Sequence, residues 1–327
     1  MIAQTAQVQD YKTAKHTRLV SFENSNSWLK RHDDEGTLVI QAGYKLNPER
    51  SEIKARDEAN PIVVVSGQAP RWYGSKASLS ANYTTMNGQN KIDTARESFT
   101  ACLRPSDHER DLVVIASHWD DEHLDSLKAA LVGQYKATVN GNEIRCNVIS
   151  VVCVEEGMGS YHSVKSQLKP GSTLVIEMGF GTAEFWLVNE DGEIFGGTPN
   201  DKLGISQLCK DLARDPHVSA LGSDNSNSIG VSMLSRYLMS GHPSRISEDV
   251  WTKLKGQYSA EHFKRLQSVL RDGWADKLQD VPNIILTGGG AALLVSMQPK
   301  LRQVFVIPEN PQIASVKGSY DYQLAKV

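Results

Sequence analysis

Two stretches of this sequence place an acid, a run of small or polar residues and a strand-like segment in the same order. In the first, Glu23 is followed by Asn24, Ser25, Asn26 and Ser27; in the second, Glu177 is followed by Met178, Gly179, Phe180, Gly181 and Thr182. A hairpin with such a tip can aim several backbone N–H groups at one point, and a nest of that kind binds phosphate without net positive charge. Two of them could clamp one triphosphate. The acids at the loop starts, Glu23 and Glu177, would lie near the phosphates and could hold a magnesium ion through its waters, and Lys30, seven residues after Glu23, could add a point charge. A third signal is Thr287-Gly288-Gly289-Gly290-Ala291, where a strand ends in three glycines before an apolar helix carrying Leu293 and Leu294. There the backbone can approach a ligand closely.

Positioning these loops requires strands that end at them. Short runs rich in Val, Ile or Leu predict strands at Leu19–Phe22, Ser27–Lys30, Thr37–Gln41, Ile62–Val65, Leu112–Ala116, Cys146–Val154, Leu174–Ile176, Ala183–Val188, Ile284–Thr287 and Val304–Ile307. Apolar residues at helical spacing predict helices through Ile92, Ala95 and Phe99, through Leu124, Leu127 and Leu131, through Ile205, Leu208 and Leu212, and through Phe263, Leu266, Leu270 and Trp274. Strands alternate with helices, the pattern of an α/β protein. Lys169-Pro170-Gly171-Ser172 breaks the periodicity near the middle of the chain, with one strand-acid-loop-strand unit on either side, as in an ancient quasi-repeat.

Composition removes other functions. The 327 residues carry 38 acids against 35 Lys and Arg, a net charge of −3, which argues against a broad phosphate-neutralising DNA-binding face. Hydrophobic residues make up 40% and charged residues 22%, enough for a sizeable core. No apolar run approaches the roughly 18 residues that span a bilayer. The polar stretch from Met1 to Lys15 lacks the apolar centre of a signal peptide and reads as a flexible tail, so a cytoplasmic address is expected. Cys102, Cys146, Cys153 and Cys209 have no metal-ligand spacing and read as small buried thiols.

Other clusters have plainer explanations than chemistry. His118-Trp119-Asp120-Asp121-Glu122-His123 could ligate a metal, but acids before Leu124 suit the start of a helix. Ser223-Asp224-Asn225-Ser226-Asn227-Ser228 reads as a solvated connection, and Val250, Trp251, Leu254, Phe263, Leu266 and Trp274 as core. Lys45, Arg50, Lys54 and Arg56, interspersed with Glu49, Glu52 and Asp57, suit an exposed mixed-charge loop.

The order of the motifs (strand-acid-loop-strand, a break, the same again, then strand-triple-Gly-helix) resembles the actin, sugar-kinase and heat-shock ATPase superfamily. Further segments narrow the resemblance to the plasmid-segregating bacterial actins of the ParM/StbA type, from about Leu19 to about Tyr320. They are Arg71-Trp72-Tyr73-Gly74-Ser75-Lys76-Ala77 ahead of a long helix beginning near Lys91, Val132-Gly133-Gln134-Tyr135 with Val139-Asn140-Gly141, Val154 to Ser160, Ile284 to Ala291, and Pro311 to Tyr320. The resemblance implies a two-domain actin-like ATPase fold, each domain a mixed sheet flanked by helices, with a nucleotide cleft between them. After a tail over residues 1–17, domain I would cover 18–170, with 315–327 returning to it, and domain II would cover 171–314. Carried over by position, Glu23 and Glu177 would stand for the two magnesium-site acids, Lys30 for a phosphate-binding lysine and Glu184 for the acid ending the second loop. Glu156, with Glu155 as its neighbouring alternative, would position the hydrolytic water, and Gly288, Gly289 and Gly290 would pack beside adenine and ribose.

ATP or ADP and Mg2+ are the implied ligands, and a homopolymeric filament, an adaptor protein and DNA reached only through it are the implied partners. The role would be plasmid segregation or a cytoskeletal filament. This sequence departs from the pattern in having Glu for each loop Asp, Ser25 for a usual Gly, and the bulky Phe180 in the second loop. Longer carboxylates crowd a near-octahedral hydrated magnesium. The departures keep open a structural filament with little or no ATPase activity, and the superfamily also includes small-molecule kinases.

Overall fold

A computed structural model of the chain describes residues 16–25, 27–80, 82–86, 89–118, 121–220, 230–239 and 241–326. The stretch Met1–Lys15, Asn26, Trp119-Asp120 of the histidine-bearing segment and the polar run Ser223–Ser228 lie outside them. The contacts fall into two units, one formed by the chain up to Ser163 and again from Val316, the other by Val164–Ser315.

The first unit holds β1 (Thr17–Asn24), β2 (Trp28–Asp33), β3 (Gly36–Gln41), β4 (Gly43–Leu46), β5 (Ile62–Val64), β6 (Arg71–Tyr73), β7 (Tyr83–Thr85), β8 (Asp111–His118), β9 (Gly133–Val139) and β10 (Asn142–Glu155). They form one sheet ordered β3-β2-β1-β8-β10-β9-β5-β6-β4-β7. β8 runs parallel to both β1 and β10. Leu112 to Ala116 are all buried, as expected of a strand with parallel neighbours on both sides. Helices α1 (Lys91–Ala101), α2 (Leu124–Leu131) and α3 (Met158–Val164) follow β7, β8 and β10; single-turn helices are left unnumbered. Phe99 of α1 meets Phe22 of β1 edge to face at 5.1 Å, and Leu127 and Leu131 of α2 join the same core.

β2 carries charge into this unit. Arg31 is wholly buried, donating to Asp33 Oδ2 at 2.6 Å, to both Asp107 oxygens at 2.5 and 2.7 Å, and to the Cys102 carbonyl at 2.9 Å. Arg104 donates to Asp33 Oδ1 at 2.6 Å. Burial alone would raise the Asp107 carboxyl, but the Arg31 hydrogen bonds and charge outweigh it and hold that group below its ordinary range.

The second unit has β11 (Thr173–Met178), β12 (Ala183–Val188), β13 (Ile194–Asn200) and β14 (Asn283–Thr287), ordered β13-β12-β11-β14. Helices α4 (Ile205–Ala213), α5 (Val231–Met239), the 31-residue α6 (Glu248–Leu278) and α7 (Gly288–Met297) supply Leu208, Leu212, Leu234, Trp251, Leu266 and Leu294 to a core with Ile176, Phe185 and Leu286 of the sheet. The last helix, α8 (Ala314–Ala325), returns to the first unit. There a Cβ on Gly318 would run into the Gly159 carbonyl, so glycine lets α8 cross α3 closely. Tyr322 stacks on His162 at 3.7 Å, and Tyr320 meets His32 edge on at 5.1 Å.

Both sheets thus contain the same four-strand arrangement, an antiparallel meander with a parallel strand beside its first member: β3-β2-β1-β8 and β13-β12-β11-β14. The expected strand Val304–Ile307 shrinks to one bridge, Ile285 to Val306, because a 3-10 turn occupies Pro299–Gln303 and Pro308 follows with no N–H to donate. β13, with Gly196, Gly197 and Pro199, escapes the sequence pattern; an edge strand tolerates these residues. Burial pushes the thiols of Cys102, Cys146 and Cys209 up to about 12 and Cys153 up to about 11. Among the described residues no helix is long and apolar enough to cross a membrane.

Candidate functional site

The two acid-bearing loops are hairpin tips in matching register. Between β1 and β2, Glu23 pairs with Lys30 and Asn24 with Leu29; between β11 and β12, Glu177 pairs with Glu184 and Met178 with Ala183. Each tip is pinned across its base by one backbone bond, from Ser25 N to Trp28 O at 3.2 Å and from Gly179 N to Thr182 O at 2.8 Å. The side chains differ. Lys30 Nζ donates to Glu23 Oε1 at 2.5 Å, with both groups largely buried, whereas the second hairpin places two glutamates opposite each other.

The second tip sits on the start of α4. Ile205 N donates to Gly179 O at 3.2 Å and Ser206 N to Phe180 O at 2.7 Å. In a trans peptide the N–H points opposite to the C=O, so the amides of Phe180 and Gly181 are turned away from α4. Neither amide has an intramolecular acceptor among the described residues. A Cβ on Gly204 would run into the Gly181 carbonyl, so this close seat needs glycine. The geometry offers two outward donors to an anion. In the first tip, Ser25 Oγ donates to Trp28 O at 2.7 Å, and Asn24 Nδ2 reaches Lys91 O at 2.8 Å and Thr94 Oγ1 at 3.2 Å, tying the loop to the first turn of α1.

The three glycines form the first turn of α7, and Thr287 before them donates its hydroxyl to Pro311 O rather than capping the helix. Gly288 has φ +90°, and a Cβ there would strike the Met178 carbonyl; one on Gly290 would strike the Met178 and Ile205 side chains. Contact with β11 therefore explains Gly288 and Gly290. Gly289 faces more open space, its nearest neighbour being Gln312 Cγ at 4.0 Å. The second unit so brings Glu177, the tip Gly179–Thr182 and Gly288–Gly290 around Met178.

In the first unit β10 ends at Glu155, which is exposed, and Glu156 turns inward. Glu156 N donates to His118 O at 2.9 Å, and its Oε1 lies 3.4 Å from Lys91 Nζ. Asn24, Lys91, Ser117 and Glu156 line one narrow crevice over Phe22. The first unit thus gathers Asn24, Ser25, Ser27, Glu23, Lys30 and Glu156 at the ends of β1, β2 and β10. Lys91 went unread in the sequence. Its signal was a cation at the first position of a helix, where the dipole disfavours it.

No protein-family model matches the sequence, and no curated protein matches it. Solved structures do match over almost the whole chain. An archaeal actin homologue in complex with ADP is 17% identical, with 94% of this chain and 99% of that one covered at a TM-score of 0.69. A 15-stranded ParM filament from Clostridium botulinum is 14% identical, covering 95% and 99% at 0.71. Bacillus thuringiensis ParM with ATP is 16% identical, covering 95% and 98% at 0.64. The chain has the actin-like α/β fold, a mixed sheet flanked by helices in each unit.

Proposed function

We propose that the chain is an actin-like filament protein that binds ATP or ADP with magnesium and polymerises head to tail. The observation that carries this reading is the pair of hairpins with acids at the same register, one of them turning the amides of Phe180 and Gly181 outward. The similar folds solved with ADP, with ATP and as filaments support it.

Phosphates would lie on the two tips, Asn24–Ser27 with Lys30 and Gly179–Thr182, and the nucleoside beside Gly288–Gly290. The donor set fits a hydrated magnesium at Glu177, since a carboxylate is the ligand type magnesium takes and Glu184 stands opposite as a second one. Glu23, the other acid read as a magnesium ligand, is ion-paired with Lys30. The metal would neutralise phosphate charge. Glu156 would orient water toward the terminal phosphate. A head-to-tail contact is heterologous and propagates as a helix rather than closing. Plasmid segregation through an adaptor, with DNA bound only indirectly, or a cytoskeletal role in the cytoplasm would follow.

A second reading, a filament that assembles without nucleotide, is favoured by the Lys30–Glu23 pair, in which the expected phosphate ligand is already occupied. Calorimetry with ATP and ADP, beside light scattering and electron microscopy with and without Mg-ATP, separates the two. Nucleotide-dependent filaments are expected. Absence of ATP and ADP binding would sink the first reading, and filaments formed equally well without nucleotide would establish the second.

A further inference from the structure

We infer that the free edge of β3 is an interaction surface and that its occupant is the β3 of a second copy of this chain, paired antiparallel. β3 ends the larger sheet, with β2 as its one neighbour. Ala42 N donates to Ser27 O at 2.9 Å, which sets the alternation along the β2–β3 ladder: Gly36, Leu38 and Ile40 bond toward β2, and the N–H and C=O groups of Thr37, Val39 and Gln41 point away from it. The bond from Ser25 N to Trp28 O, on the other side of β2, follows the same alternation. None of those outward groups has a backbone partner among the described residues, and Thr37, Val39 and Gln41 are all partly exposed.

The other sheet edges are each blunted. β14 exchanges two backbone bonds with the segment beyond it, Leu286 N to Val306 O at 3.0 Å and Val306 N to Ile284 O at 2.8 Å. β13 carries Gly196, Gly197 and Pro199, and β7 is three residues long. β3 has none of these devices: it runs for six residues, Thr37, Val39 and Ile40 are β-branched, and no charged residue lies between Glu35 and Lys45.

This edge is its own complement. With two copies antiparallel and centred on Val39, Val39 faces Val39 and Thr37 faces Gln41, so every outward N–H meets an outward C=O. A charged strand would find no side chain of opposite sign along β3. Charge also selects the direction, because a parallel copy would set the exposed Asp34 and Glu35 beside their own counterparts. Antiparallel pairing sends the two Asp34 residues to opposite ends, about 33 Å apart at roughly 3.3 Å per residue. The contact is isologous and closes at two copies. It would join chains side by side, and it stands whether or not the chain binds nucleotide or assembles head to tail.

The test is amide hydrogen exchange at single-residue resolution, without nucleotide, on dilute and concentrated wild type and Val39→Pro, beside sedimentation equilibrium. Val39→Pro removes an outward N–H and so leaves the ladder to β2 intact. In wild type, Thr37, Val39 and Gln41 are expected to exchange about tenfold or more slowly in the concentrated sample, while Leu38 and Ile40 stay protected in both. Val39→Pro is expected to remain monomeric where wild type is a dimer. Exchange at the three outward amides that does not change with concentration would overturn the pairing: if fast, the edge is unpaired, and if slow, it is covered within one chain. Dimerisation of folded Val39→Pro to the wild-type extent would overturn it as well. Should Val39→Pro fail to fold, the wild-type dilution series decides alone.

Discussion

The two hairpins share a backbone and differ in charge. With Glu23 superposed in register on Glu177, Lys30 corresponds to Glu184, Arg31 to Phe185 and His32 to Trp186. One strand carries three cationic or titratable residues where the other carries an acid and two aromatics. Both positions of the middle pair are buried, Arg31 in an ionic network and Phe185 against Trp274 at 5.7 Å. The hydrogen-bond ladder fixes the tip, and the side chains are then free to diverge. The first tip sets a lysine opposite its acid, and the second sets a glutamate there.

The largest expected effect tests the buried pair. Arg31→Leu leaves Asp107 and Asp33 buried with less compensation and should cost about 3–5 kcal/mol. Phe185→Ala opens a cavity and should cost a similar amount, about 3–5 kcal/mol, through lost packing alone. Urea titrations of both variants measure this, and a loss under about 1 kcal/mol for Arg31→Leu would show that its network relaxes into something apolar.

The seat of the second tip comes next. Gly204→Ala pushes into the Gly181 carbonyl and should cost about 1–3 kcal/mol. Its nearest counterpart in the first tip, Ser25→Ala, removes only the bond to Trp28 O and should cost about 1 kcal/mol. Thermal melts that reverse this order would mean the tip is not held by α4.

Charge at the tips is a smaller lever on stability and a sharper one on magnesium. Glu184→Lys makes the second hairpin electrically like the first, exchanging facing acids for an opposite-charge pair worth roughly 0.2–1 kcal/mol. We expect a slight rise in melting temperature without metal and loss of magnesium dependence in nucleotide binding. Unchanged magnesium dependence would place the metal elsewhere.

The smallest effect is with pH. Burial holds His32 below its ordinary value, so it is neutral in the fold at a pH where the unfolded chain, at about 6.5, takes up a proton. Its contribution is present above about pH 6.5 and is lost as pH falls through the folded value. His32→Phe, which imitates the aromatic Trp186, should flatten the change in melting temperature between about pH 7 and pH 5.5. An identical slope in both proteins would remove His32 as its source.

The alternation of strands and helices was legible because most strands are apolar runs and the helices that pack on them keep the 3.6 period. Acids seven residues before Lys30 and Glu184 were legible as loop starts. Their cross-strand pairing was not, because register depends on how many residues each tip absorbs. Charge misled twice. Arg31 and Asp33 look like solvent residues that end a strand at Lys30, yet β2 continues through them because their partners, Asp107 for Arg31 and Arg104 for Asp33, lie in a distant segment. Lys91 marks only the start of a helix in the sequence, since nothing local announces Glu156 sixty-five positions on. The glycine run stood between strand and helix in the sequence pattern; that it opens α7 was not legible, because glycine disfavours helices and it is close packing on Met178 that requires it here.

The return of α8 to the first unit orders events during synthesis. The second unit is continuous from Val164 to Ser315, so all of its core has been synthesised before Tyr320 and Tyr322 are added. The first unit begins the chain yet must wait for Gly318 to dock on Gly159. Domains usually mature in the order they are made. Here the first unit waits on the last helix, and a chain lacking Ala314 onward would leave the seat of that helix on α3 uncovered.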